Sequence, residues 1–594
     1  MSAPLVPARL EFAADGTPYS AAFGDVYHSA AGGVAQARHV FLGGNALPGR
    51  WRGRRTFTIL ETGFGLGLNF LTTLQAWRED TARCDRLHFV SVEKHPFSVA
   101  DLSSVLAKHP ELEPQPLLDA WPMLTPGMHR LELEQGRVVL TLLFEDITAI
   151  RELGLSVDAF YLDGFAPDRN PDMWSPALMR ALSRLATPGA TAATWSVAAS
   201  VRAALERTGF VVEKRKGFGN KKEMLLATQG GKESPSTKGP EEKSAIVVGA
   251  GIAGAAASER LTSRGWRVTV IERHPKPAME ASGNPVGIFH PVVSPDDSVF
   301  ARITRASFLY LLQRATKLSS LRWSQCGVVQ LPRDEDERRS QWKAIDVLAF
   351  PQDYVSYDQG LLFPKAGWVS PTSLVDCLLK GADLVLGREV VSIEQTEGNW
   401  TAKDGDGKAI ASAPVMILAN SSEAARLAPQ KAIRLRRVRG QISLIPAIPG
   451  LDKVLIRGGF AIPGVDGVSA IGASFDIDDE DPEVRADSHA GNLERLEQLL
   501  PGTSKGLDCT AMQGRVAFRS VVPDRLPVIG PLGPDLYGAY AYGSRGLIWA
   551  GLGGELLASL ICGEPLPLEK KLVAALAPGR FAARAARKAT AARA

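Results

Sequence analysis

Cysteine is scarce in this sequence, with five residues in 594, and no two of them have the Cys-x-x-Cys spacing. This gives no indication of a disulfide framework or a zinc site, and we predict that no metal is bound. The sequence also lacks any run of 18 or more apolar residues, and its first segment, Met1–Gly16, lacks a basic start followed by an apolar stretch. We therefore expect neither a membrane-spanning helix nor a secretory signal, and we expect a cytoplasmic location.

An excess of one charge is also missing, because 68 lysines and arginines against 64 aspartates and glutamates leave a net charge of +4. The bulk charge therefore neither demands nor excludes a nucleic-acid partner, and only local clusters of charge can decide. Hydrophobic residues make up 45% and charged residues 22% of the chain, as in ordinary globular proteins. At roughly 150 residues per domain, the length predicts several folding units.

A polar segment divides the chain. Residues 229–243, QGGKESPSTKGPEEK, contain no large apolar side chain, so they cannot bury enough surface to offset the entropy lost on ordering. We predict a first domain at residues 1–228, a linker at 229–243, a second domain at 244–579 and a basic tail at 580–594. The tail has five cations and no acid in an Ala-rich setting, which predicts a mobile or marginal helix.

A glycine-rich turn follows an apolar strand of the first domain, Thr56–Leu60. Glu61 ends the strand, and Gly63, Gly65 and Gly67 follow it before a segment with helical spacing. Glycines allow the backbone to approach a ligand closely, and the N-terminus of the next helix adds partial positive charge. The E-x-G-x-G-x-G spacing differs from the G-x-G-x-x-G dinucleotide pattern and resembles motif I of the class I S-adenosylmethionine methyltransferases. A tight turn without a ligand is the alternative.

Three further acids each follow an apolar strand in this domain: Glu93, Asp146 and Asp163. In doubly wound sheets the ligand binds at the carboxyl ends of the strands, so these side chains and Glu61 should meet in one crevice. Glu93 is placed to accept the ribose hydroxyls, and Asp146 to hold the adenine amino group. A single acid at such a position could equally cap a helix, but four in series favour a cofactor site.

Asp163, in the segment YLDGFAP, is the candidate for chemistry. Methyl transfer to nitrogen needs a neutral amine held in line with the sulfonium methyl group, and most of the gain comes from positioning. A primary amine is mostly protonated at neutral pH, so a carboxylate can both hold it and accept its proton. We predict this role for Asp163, with Phe165 and Pro167 forming the wall beside it. The alternative is that Asp163 only caps the next turn.

The second domain begins with a strand, Ala245–Val248, followed by the complete G-x-G-x-x-G pattern of Gly249, Gly251 and Gly254. Glu272 ends the next strand, 23 residues after Gly249. Strand, glycine turn, helix and distant acid together predict a dinucleotide site, with Glu272 on the adenosine ribose.

A second glycine-rich turn near the C-terminus contains Gly543, Gly546, Gly551 and Gly553 and opens an apolar helix. It resembles the closing segment of the amino-acid-oxidase-like superfamily of FAD enzymes, in which a helix N-terminus faces the pyrimidine end of the flavin and stabilises charge there. In that superfamily an arginine pairs with the substrate carboxylate, and Arg519 in RSVVPDRLPVIG occupies the matching place. Its planar guanidinium suits a carboxylate. The alternative is a structural arginine that satisfies buried carbonyls.

Longer signatures cover both domains: GFGLGLNFL, YLDGFAPDRNPDMW, RKGFGNKKEML, GAGIAGAAA and ASGNPVGIFHP. With the RGQ and GLGG segments, they resemble the family of bifunctional tRNA 5-methylaminomethyl-2-thiouridine biosynthesis proteins. The resemblance implies an α/β fold with an N-terminal class I methyltransferase Rossmann-like sheet and a C-terminal FAD-binding Rossmann domain that carries an antiparallel-sheet substrate subdomain. One departure is Leu66, where a small residue, usually Thr, is expected. Since the flanking glycines supply the backbone contacts, we expect binding to persist.

The resemblance also implies two reactions on the wobble uridine of the tRNA anticodon loop. FAD-dependent oxidation removes the carboxymethyl group of 5-carboxymethylaminomethyl-(2-thio)uridine, and S-adenosylmethionine-dependent methylation of the exposed amine gives 5-methylaminomethyl-(2-thio)uridine. By the same resemblance, Ser282, Gly283 and Asn284 lie near the flavin. His290 is expected to be a packed core histidine rather than a catalytic base. We expect the protein to be a monomer.

Contact with RNA requires local positive charge, and the sequence has three basic clusters, here called the 50–55, 214–222 and 434–439 clusters. They consist of Arg50, Arg52, Arg54 and Arg55 around Trp51, of Lys214, Arg215, Lys216, Lys221 and Lys222 around Phe218, and of Arg434, Arg436, Arg437 and Arg439. Basic residues with an interleaved aromatic suit phosphate contact plus base stacking, and such binding should weaken with salt. Each cluster could equally be a solvated face.

Two other functions stay open from the sequence. A glycine-type oxidase fused to a methyltransferase for a free metabolite would use the same cofactors, although the basic clusters weigh against it. A noncatalytic RNA-binding protein could use two nucleotide folds as scaffolds, but the intact glycine turns and the placed acids argue for catalysis.

Overall fold

The computed structural model describes residues 4–230, 242–429 and 433–591. Most of the predicted linker, residues 231–241, and the last three residues of the predicted basic tail lie outside the described residues. The described chain divides into two compact units. The N-terminal unit contains residues 4–230 together with Gly563–Lys570, and the C-terminal unit contains residues 242–562 and 571–591.

The N-terminal unit alternates strands and helices. Its strands are β1 (Glu11–Phe12), β2 (Pro18–Ser20), β3 (Asp25–Val26), β4 (Thr56–Glu61), β5 (Arg86–Val92), β6 (Gly127–Leu133), β7 (Val138–Phe144), β8 (Val157–Tyr161), β9 (Ala186–Thr194), β10 (Phe210–Lys216) and β11 (Glu223–Gln229). Its helices are α1 (Gly33–Gln36), α2 (Leu68–Glu79), α3 (Val99–Leu106), α4 (Gln115–Ala120), α5 (Pro176–Leu185) and α6 (Ala199–Glu206).

Eight of these strands form one sheet in the order β10-β11-β9-β8-β4-β5-β7-β6. Strand β4 pairs in parallel with β5 and β8, while β6, β10 and β11 run antiparallel to their neighbours. Successive residues of β4 belong to two different core clusters, Ile59 to one and Leu60 to the other. A sheet with a core on both faces buries its central strands, which explains why these strands are apolar throughout. The carboxyl ends of β4, β5, β7 and β8 therefore lie at one edge, as the sequence predicts.

A short segment from far along the chain belongs to this unit. Within Gly563–Lys570, Leu566 donates its backbone N–H to Gly154 O at 2.9 Å, and Arg130 donates to Pro565 O at 2.7 Å. The buried carboxylate of Glu564 lies 3.5 Å from Arg86 on β5. The domain limits given above place this segment in the second domain and do not anticipate these contacts.

The C-terminal unit has more and shorter elements. Its strands are β12 (Ser244–Val248), β13 (Arg267–Glu272), β14 (Gly287–Phe289), β15 (Trp323–Ser324), β16 (Val328–Gln330), β17 (Ser356–Tyr357), β18 (Leu361–Phe363), β19 (Gly367–Val369), β20 (Asp383–Leu386), β21 (Ser392–Thr396), β22 (Asn399–Lys403), β23 (Ala409–Ala413), β24 (Val415–Leu418), β25 (Arg436–Pro446), β26 (Val454–Arg457), β27 (Gly459–Ala461), β28 (Val468–Gly472), β29 (Asp476–Ile477), β30 (Gln513–Val521), β31 (Val528–Gly533) and β32 (Leu536–Tyr540). Its helices are α7 (Ile252–Thr262), α8 (Val299–Ala315), α9 (Glu335–Leu348), α10 (Pro371–Leu378), α11 (Ala424–Leu427), α12 (Ala486–Leu499), α13 (Gly546–Cys562), α14 (Lys570–Leu576) and α15 (Arg580–Ala591).

Two large sheets organise this unit. A six-stranded sheet has the order β20-β13-β12-β24-β32-β31 and is parallel except for β31. A nine-stranded, mostly antiparallel sheet has the order β17-β18-β16-β26-β27-β28-β25-β29, with β30 paired to β25. The predicted combination of a Rossmann-type sheet and an antiparallel subdomain is confirmed.

Helix α13 belongs to the core of the C-terminal unit. The segment Gly543–Cys562 is long and apolar enough to cross a membrane by length and composition alone, but 72% of its apolar window is buried inside the fold. Such burial is that of a core helix. The predicted basic tail begins as helix α15, where Arg580 forms an ion pair with Asp524 at 3.0 Å.

Candidate functional sites

A cavity of about 580 Å³ opens at the carboxyl edge of the N-terminal sheet. The residues predicted for this site that line it are Gly63, Gly65, Glu93, Asp146, Asp163 and Phe165, whereas Pro167, predicted beside Phe165, is not part of the lining. Glu61 and Gly67 are not part of its lining. The predicted convergence of strand-end acids is therefore found for three of the four.

The glycine turn between β4 and α2 requires its glycines. Gly65 and Gly67 have φ values of +52° and +75°, in the left-handed region that other residues avoid. A Cβ on Gly67 would lie 3.0 Å from the Phe64 ring. Gly65 also donates its backbone N–H to the Glu93 carboxylate at 2.9 Å, which ties the turn to the end of β5.

The two outer acids of this cavity are held by backbone and side-chain donors. Glu93 accepts a second hydrogen bond from the backbone of His95 at 2.8 Å. Asp146 caps a short helical turn by accepting from Thr148 N, and it also faces Lys94 Nζ at 3.0 Å. Asp146 thus caps a helical turn, which was the alternative, and also lines the cavity, where its contact with the adenine amino group stays a prediction.

The inner acids are bridged by one amide. Asn69, on the first turn of α2, donates to Glu61 Oε1 at 2.9 Å and to Asp163 Oδ2 at 2.7 Å. Ser91 completes the shell by donating to Glu61 Oε2 at 2.7 Å. Glu61 is fully buried behind the cavity wall, whereas Asp163 lines the cavity itself. Glu61 therefore supports the site from behind.

Burial tunes both carboxyls toward the neutral form. Loss of solvent raises the pKa of Asp163 to about 6, against the opposing hydrogen bonds from Asn69, Gly164 and Trp195. Burial, and secondarily the charge of Asp163, raises the pKa of Glu61 well above its usual range. A carboxyl with a pKa near neutral pH can accept a proton from an ammonium group and release it again, which suits a general base.

Aromatic side chains form much of the remaining wall, and most were not identified from the sequence. Phe23 stacks on Phe165 with ring centroids 4.6 Å apart, and Tyr27 meets Phe165 edge-on at 5.2 Å. Trp195 and Phe218 also line the cavity. Phe165 and Phe218 lie within signatures quoted above, whereas the segment around β2 and β3 carries no motif that would identify Phe23 and Tyr27.

A second cavity, of about 780 Å³, lies in the C-terminal unit. The sequence-predicted residues that line it are Gly249, Gly251, Glu272, Ser282, Asn284, Arg519, Gly543 and Gly546. Gly254, Gly283, Gly551 and Gly553 are not part of its lining. A Cβ on Gly254 would lie 2.0 Å from Gly249 O, and one on Gly553 would lie 2.8 Å from Ile529. These two glycines serve close packing of helices rather than the cavity wall.

The dinucleotide pattern has the expected local geometry. Gly249 has a φ of +103°, and a Cβ there would lie 2.8 Å from Ala419 O. Only glycine therefore fits between the end of β12 and the segment that follows β24. Glu272 at the end of β13 accepts from Ala250 N at 2.8 Å and from His274 N at 3.0 Å. These bonds fix the carboxylate at the end of the strand, where an adenosine ribose can be held.

An arginine holds the Ser282–Asn284 turn from the side. Arg515 donates to Asn284 Oδ1 at 2.8 Å and to Met279 O at 3.0 Å. A Cβ on Gly283 would lie 2.4 Å from the Arg515 guanidinium, so the glycine makes room for it. Ser282 Oγ accepts from Ile252 N at 3.0 Å, at the start of α7.

Arg519 lies on the wall of this cavity, on β30. Its Nη1 donates to Ser474 O at 3.1 Å, and the guanidinium lies 5.8 Å from the Phe475 ring centre. A Cβ on Gly440 would lie 2.5 Å from the guanidinium, so the glycine of the RGQ segment makes room for it. Burial lowers the pKa of Arg519, with the nearby Asp476 opposing this. The bond to Ser474 is part of the structural alternative, and no other hydrogen bond of this guanidinium occurs within the described residues.

Arg545 is one of several further arginines in the lining of this cavity and was not predicted from the sequence. It lies in the short helical turn before α13, beside the Phe300 ring at 5.8 Å, and burial lowers its pKa to about 10. Burial and the charge of Arg545 lower the pKa of His290 to about 3, so this histidine is neutral at physiological pH. Its Nδ1 lies 2.8 Å from Pro291 O. His290 therefore has the character of the packed histidine that was expected, although it touches the cavity.

The residues present fit the two cofactors. The left-handed glycine turn and the fixed Glu93 carboxylate offer backbone and ribose contacts to S-adenosylmethionine, with the aromatic wall beside them. In the second cavity, the close approach permitted by Gly249 and the fixed Glu272 suit the pyrophosphate and ribose of FAD. No group of three or more potential metal ligands occurs within residues 4–230, 242–429 and 433–591.

Comparisons with known proteins cover nearly the whole chain. The FAD dependent oxidoreductase family matches residues 244–560, and an S-adenosyl-L-methionine-dependent methyltransferase family matches residues 110–230. The tRNA 5-methylaminomethyl-2-thiouridine biosynthesis bifunctional protein MnmC of Paraburkholderia phytofirmans is 47% identical, with 99% of each chain covered. The protein of the same name from Aromatoleum aromaticum is 46% identical, covering 98% of this chain and 99% of its own. Among solved structures, glycine oxidase from Geobacillus kaustophilus has a TM-score of 0.47 and 21% identity over 56% of this chain and 97% of that one.

Proposed function

The chain belongs to the family of bifunctional tRNA 5-methylaminomethyl-2-thiouridine biosynthesis proteins, and we propose that its two cavities carry out the two successive reactions of that synthesis. It is an FAD-dependent oxidoreductase and an S-adenosylmethionine-dependent methyltransferase in one polypeptide, and its partner is tRNA. The assignment of individual residues to each reaction is our proposal.

The C-terminal cavity carries out the oxidation. Arg519 binds the carboxylate of the carboxymethylaminomethyl arm through its guanidinium N–H groups. This directs the bond between the nitrogen and the methylene carbon of the carboxymethyl group toward the cofactor. FAD, when bound, would supply the acceptor for the hydride that this carbon loses. The nitrogen loses its proton, water adds to the resulting imine, and the carboxymethyl carbons leave as glyoxylate, so that a primary amine remains on the uridine.

The N-terminal cavity carries out the methylation. Asp163 accepts a hydrogen bond from the primary amine and takes its proton, so the nitrogen lone pair is available. S-adenosylmethionine, when bound, supplies the methyl group. The aromatic wall of Phe23, Tyr27 and Phe165 excludes water and offers flat surfaces to the uracil ring. The pKa of Asp163, near 6, leaves the carboxylate ionised at neutral pH and ready for this proton.

The region of tRNA that the protein recognises follows from how a base can reach the cavities. A base within a duplex cannot bring its 5-substituent into either cavity, so the target uridine must turn out of its stack, which favours the anticodon loop over a stem. We propose that the protein acts as a monomer in the cytoplasm.

The observation that carries this proposal is that a carboxylate tuned by burial and an arginine on a cavity wall lie in separate units. Asp163→Ala should abolish methyl transfer while the oxidation continues, and Arg519→Ala should abolish the oxidation while methyl transfer to ready-made 5-aminomethyluridine in tRNA continues. Mass spectrometry of the tRNA nucleosides measures both products. Loss of both activities in either variant would refute the division of roles.

A further inference from the structure

The three basic clusters differ in the interaction partners of their side chains. In the 50–55 cluster, Arg52 forms an ion pair with Asp80 at 3.0 Å and Arg54 with Asp158 at 2.8 Å. Arg50 donates to Asp158 O and to Gly189 O, both at 3.1 Å. These three cations have partners within the fold, whereas Arg55 is exposed and has no acidic partner in the part of the chain that the structure describes.

The 50–55 cluster also lies at the wrong end of its strand. It precedes Thr56, the first residue of β4, whereas the glycine turn and the cavity follow Glu61, the last one. A strand of this length spans ~20 Å at about 3.3 Å per residue. The arginines of this cluster are therefore on the far edge of the sheet from the methylation cavity.

Three of the four arginines of the 434–439 cluster are engaged as well, whereas Arg434 is exposed and has no acidic partner within the described residues. Arg436 pairs with Asp478, and Arg437 lies 3.5 Å from Glu480. Arg439 is fully buried and donates to Asp481 O at 2.8 Å. Arg436, Arg437 and Arg439 contact the irregular segment after β29, and Arg437 also lines the cavity of the C-terminal unit.

The 214–222 cluster differs because three neighbouring lysines in it form no ion pair within the described residues. Lys214 and Arg215 pair with Glu223 and Glu213, at 2.7 and 2.8 Å. Lys216, Lys221 and Lys222 are exposed, and none of the three has an acidic partner in the part of the chain that the structure describes. We call residues 216–222 the hairpin tip, since they join β10 to β11.

The hairpin tip lies at the mouth of the methylation cavity. Its strand β11 pairs with β9 so that Leu225 faces Thr194, which places the tip at the carboxyl edge of the sheet. Phe218 and Lys221 line the cavity that contains Asp163. Lys221 Nζ lies 4.8 Å from the centre of the Trp195 ring. A single loop thus presents an aromatic ring to the cavity and exposed cations around it.

We propose that the hairpin tip is the RNA-docking element of the methylation site. Lys216 and Lys222 contact backbone phosphates on either side of the turned-out uridine, and Phe218 offers a face on which a base can stack. Cations that follow the backbone together with an aromatic platform are the features that bind single-stranded nucleic acid. The inference rests on the proposed function, since it concerns the docking of that same substrate.

Close backbone contacts constrain the conformation of the hairpin tip. A Cβ on Gly217 would lie 2.3 Å from Lys221 O, and Gly217 donates its backbone N–H to Lys222 O at 3.1 Å. Gly219 has a φ of +56°. These constraints fold the tip back on itself, which keeps the lysines and Phe218 on one short segment beside the cavity.

The test is a double variant, Lys216→Ala with Lys222→Ala, in the full chain. Its control is Lys214→Ala with Arg215→Ala, which removes the same charge from the same hairpin but from paired positions. The substrate is tRNA already converted to the 5-aminomethyl form, with saturating S-adenosylmethionine, so that the oxidation does not limit the rate. KM for tRNA is measured at several salt concentrations, and the free nucleoside 5-aminomethyluridine serves as a second substrate without phosphates.

The tip variant should raise KM for tRNA ~10-fold with little change in kcat and should lower the slope of log KM against log salt by about 2, one for each lost phosphate contact. The control and the reaction with the free nucleoside should stay near wild type. Equal effects of the two double variants, or an equal loss with the free nucleoside, would overturn the inference. If the wild-type protein methylated no tRNA, the proposed function itself would be refuted. If the wild-type protein methylated tRNA and the tip variant behaved in the same way, only the docking inference would be refuted.

Discussion

Asn69 joins the two inner carboxyls of the methylation cavity, and its hydrogen bonds oppose the rise in the pKa of both. Its amide lies between the buried Glu61 and the cavity-lining Asp163. Burial favours the neutral form of both groups, and the pKa of Glu61 rises further because of the Asp163 charge. With a pKa of about 6, Asp163 is ionised at neutral pH, so its carboxylate at the end of β8 is available to the amine. We regard Asn69 as a positioning residue.

The pH dependence of methyl transfer should report Asp163. Because burial raises its pKa to about 6, the carboxylate is ionised above that pH and protonated below it, and the single-turnover rate should fall as the pH drops through about 6. The Asn69 hydrogen bond opposes this rise, so Asn69→Ala should move the midpoint to higher pH. The measurement is the pH profile of single-turnover methyl transfer for both proteins. A midpoint that stays in place or moves down would contradict this role of Asn69.

At the scale of elements, the segments predicted from sequence are those whose signal is local. Strand β4 with its glycine turn, and strand β12 with Gly249 and Glu272, are recognisable because an apolar run, a required glycine and a helix follow one another within a few residues. The short strands β1 to β3 have no such signal, although their neighbours Phe23 and Tyr27 line the methylation cavity. Their position depends on contacts with Phe165, far along the chain, which local periodicity does not encode.

The basic clusters show the same limit. All three look alike as sequence, but Asp80, Asp158 and Asp478, which neutralise their arginines, lie 28, 104 and 42 positions away. Only the folded chain tells the paired arginines of the 50–55 cluster from the open lysines of the hairpin tip.

The segment Gly563–Lys570 should support the stability of the N-terminal unit. Glu564 is buried and lies 3.5 Å from Arg86 and 3.6 Å from His88, both on β5. Removing the carboxylate in Glu564→Ala takes away a buried ionic partner, which typically costs ~3 kcal/mol. Calorimetry should show a lower unfolding temperature for the N-terminal unit and an unchanged one for the C-terminal unit. The exposed Lys570→Ala serves as the control, and identical unfolding of Glu564→Ala and wild type would show that the segment does not stabilise this unit.

At the scale of the whole molecule, two cavities with different cofactors reside in separate compact units of one chain. Each unit has its own buried cores and its own glycine turn, so we expect that a substitution in one cavity stops one reaction and spares the other. The product of the oxidation, a primary amine, is the group that the Asp163 carboxylate is suited to deprotonate. The chemistry of the two sites therefore gives the order of the reactions.

The most direct measurement is mass spectrometry of nucleosides from carboxymethylaminomethyl-containing tRNA incubated with the protein, with and without S-adenosylmethionine. Without the methyl donor, the 5-aminomethyl form should accumulate, and with the donor the 5-methylaminomethyl form should replace it. A tRNA left unchanged by protein that holds flavin would contradict the account and point to a free small-molecule amine as the substrate.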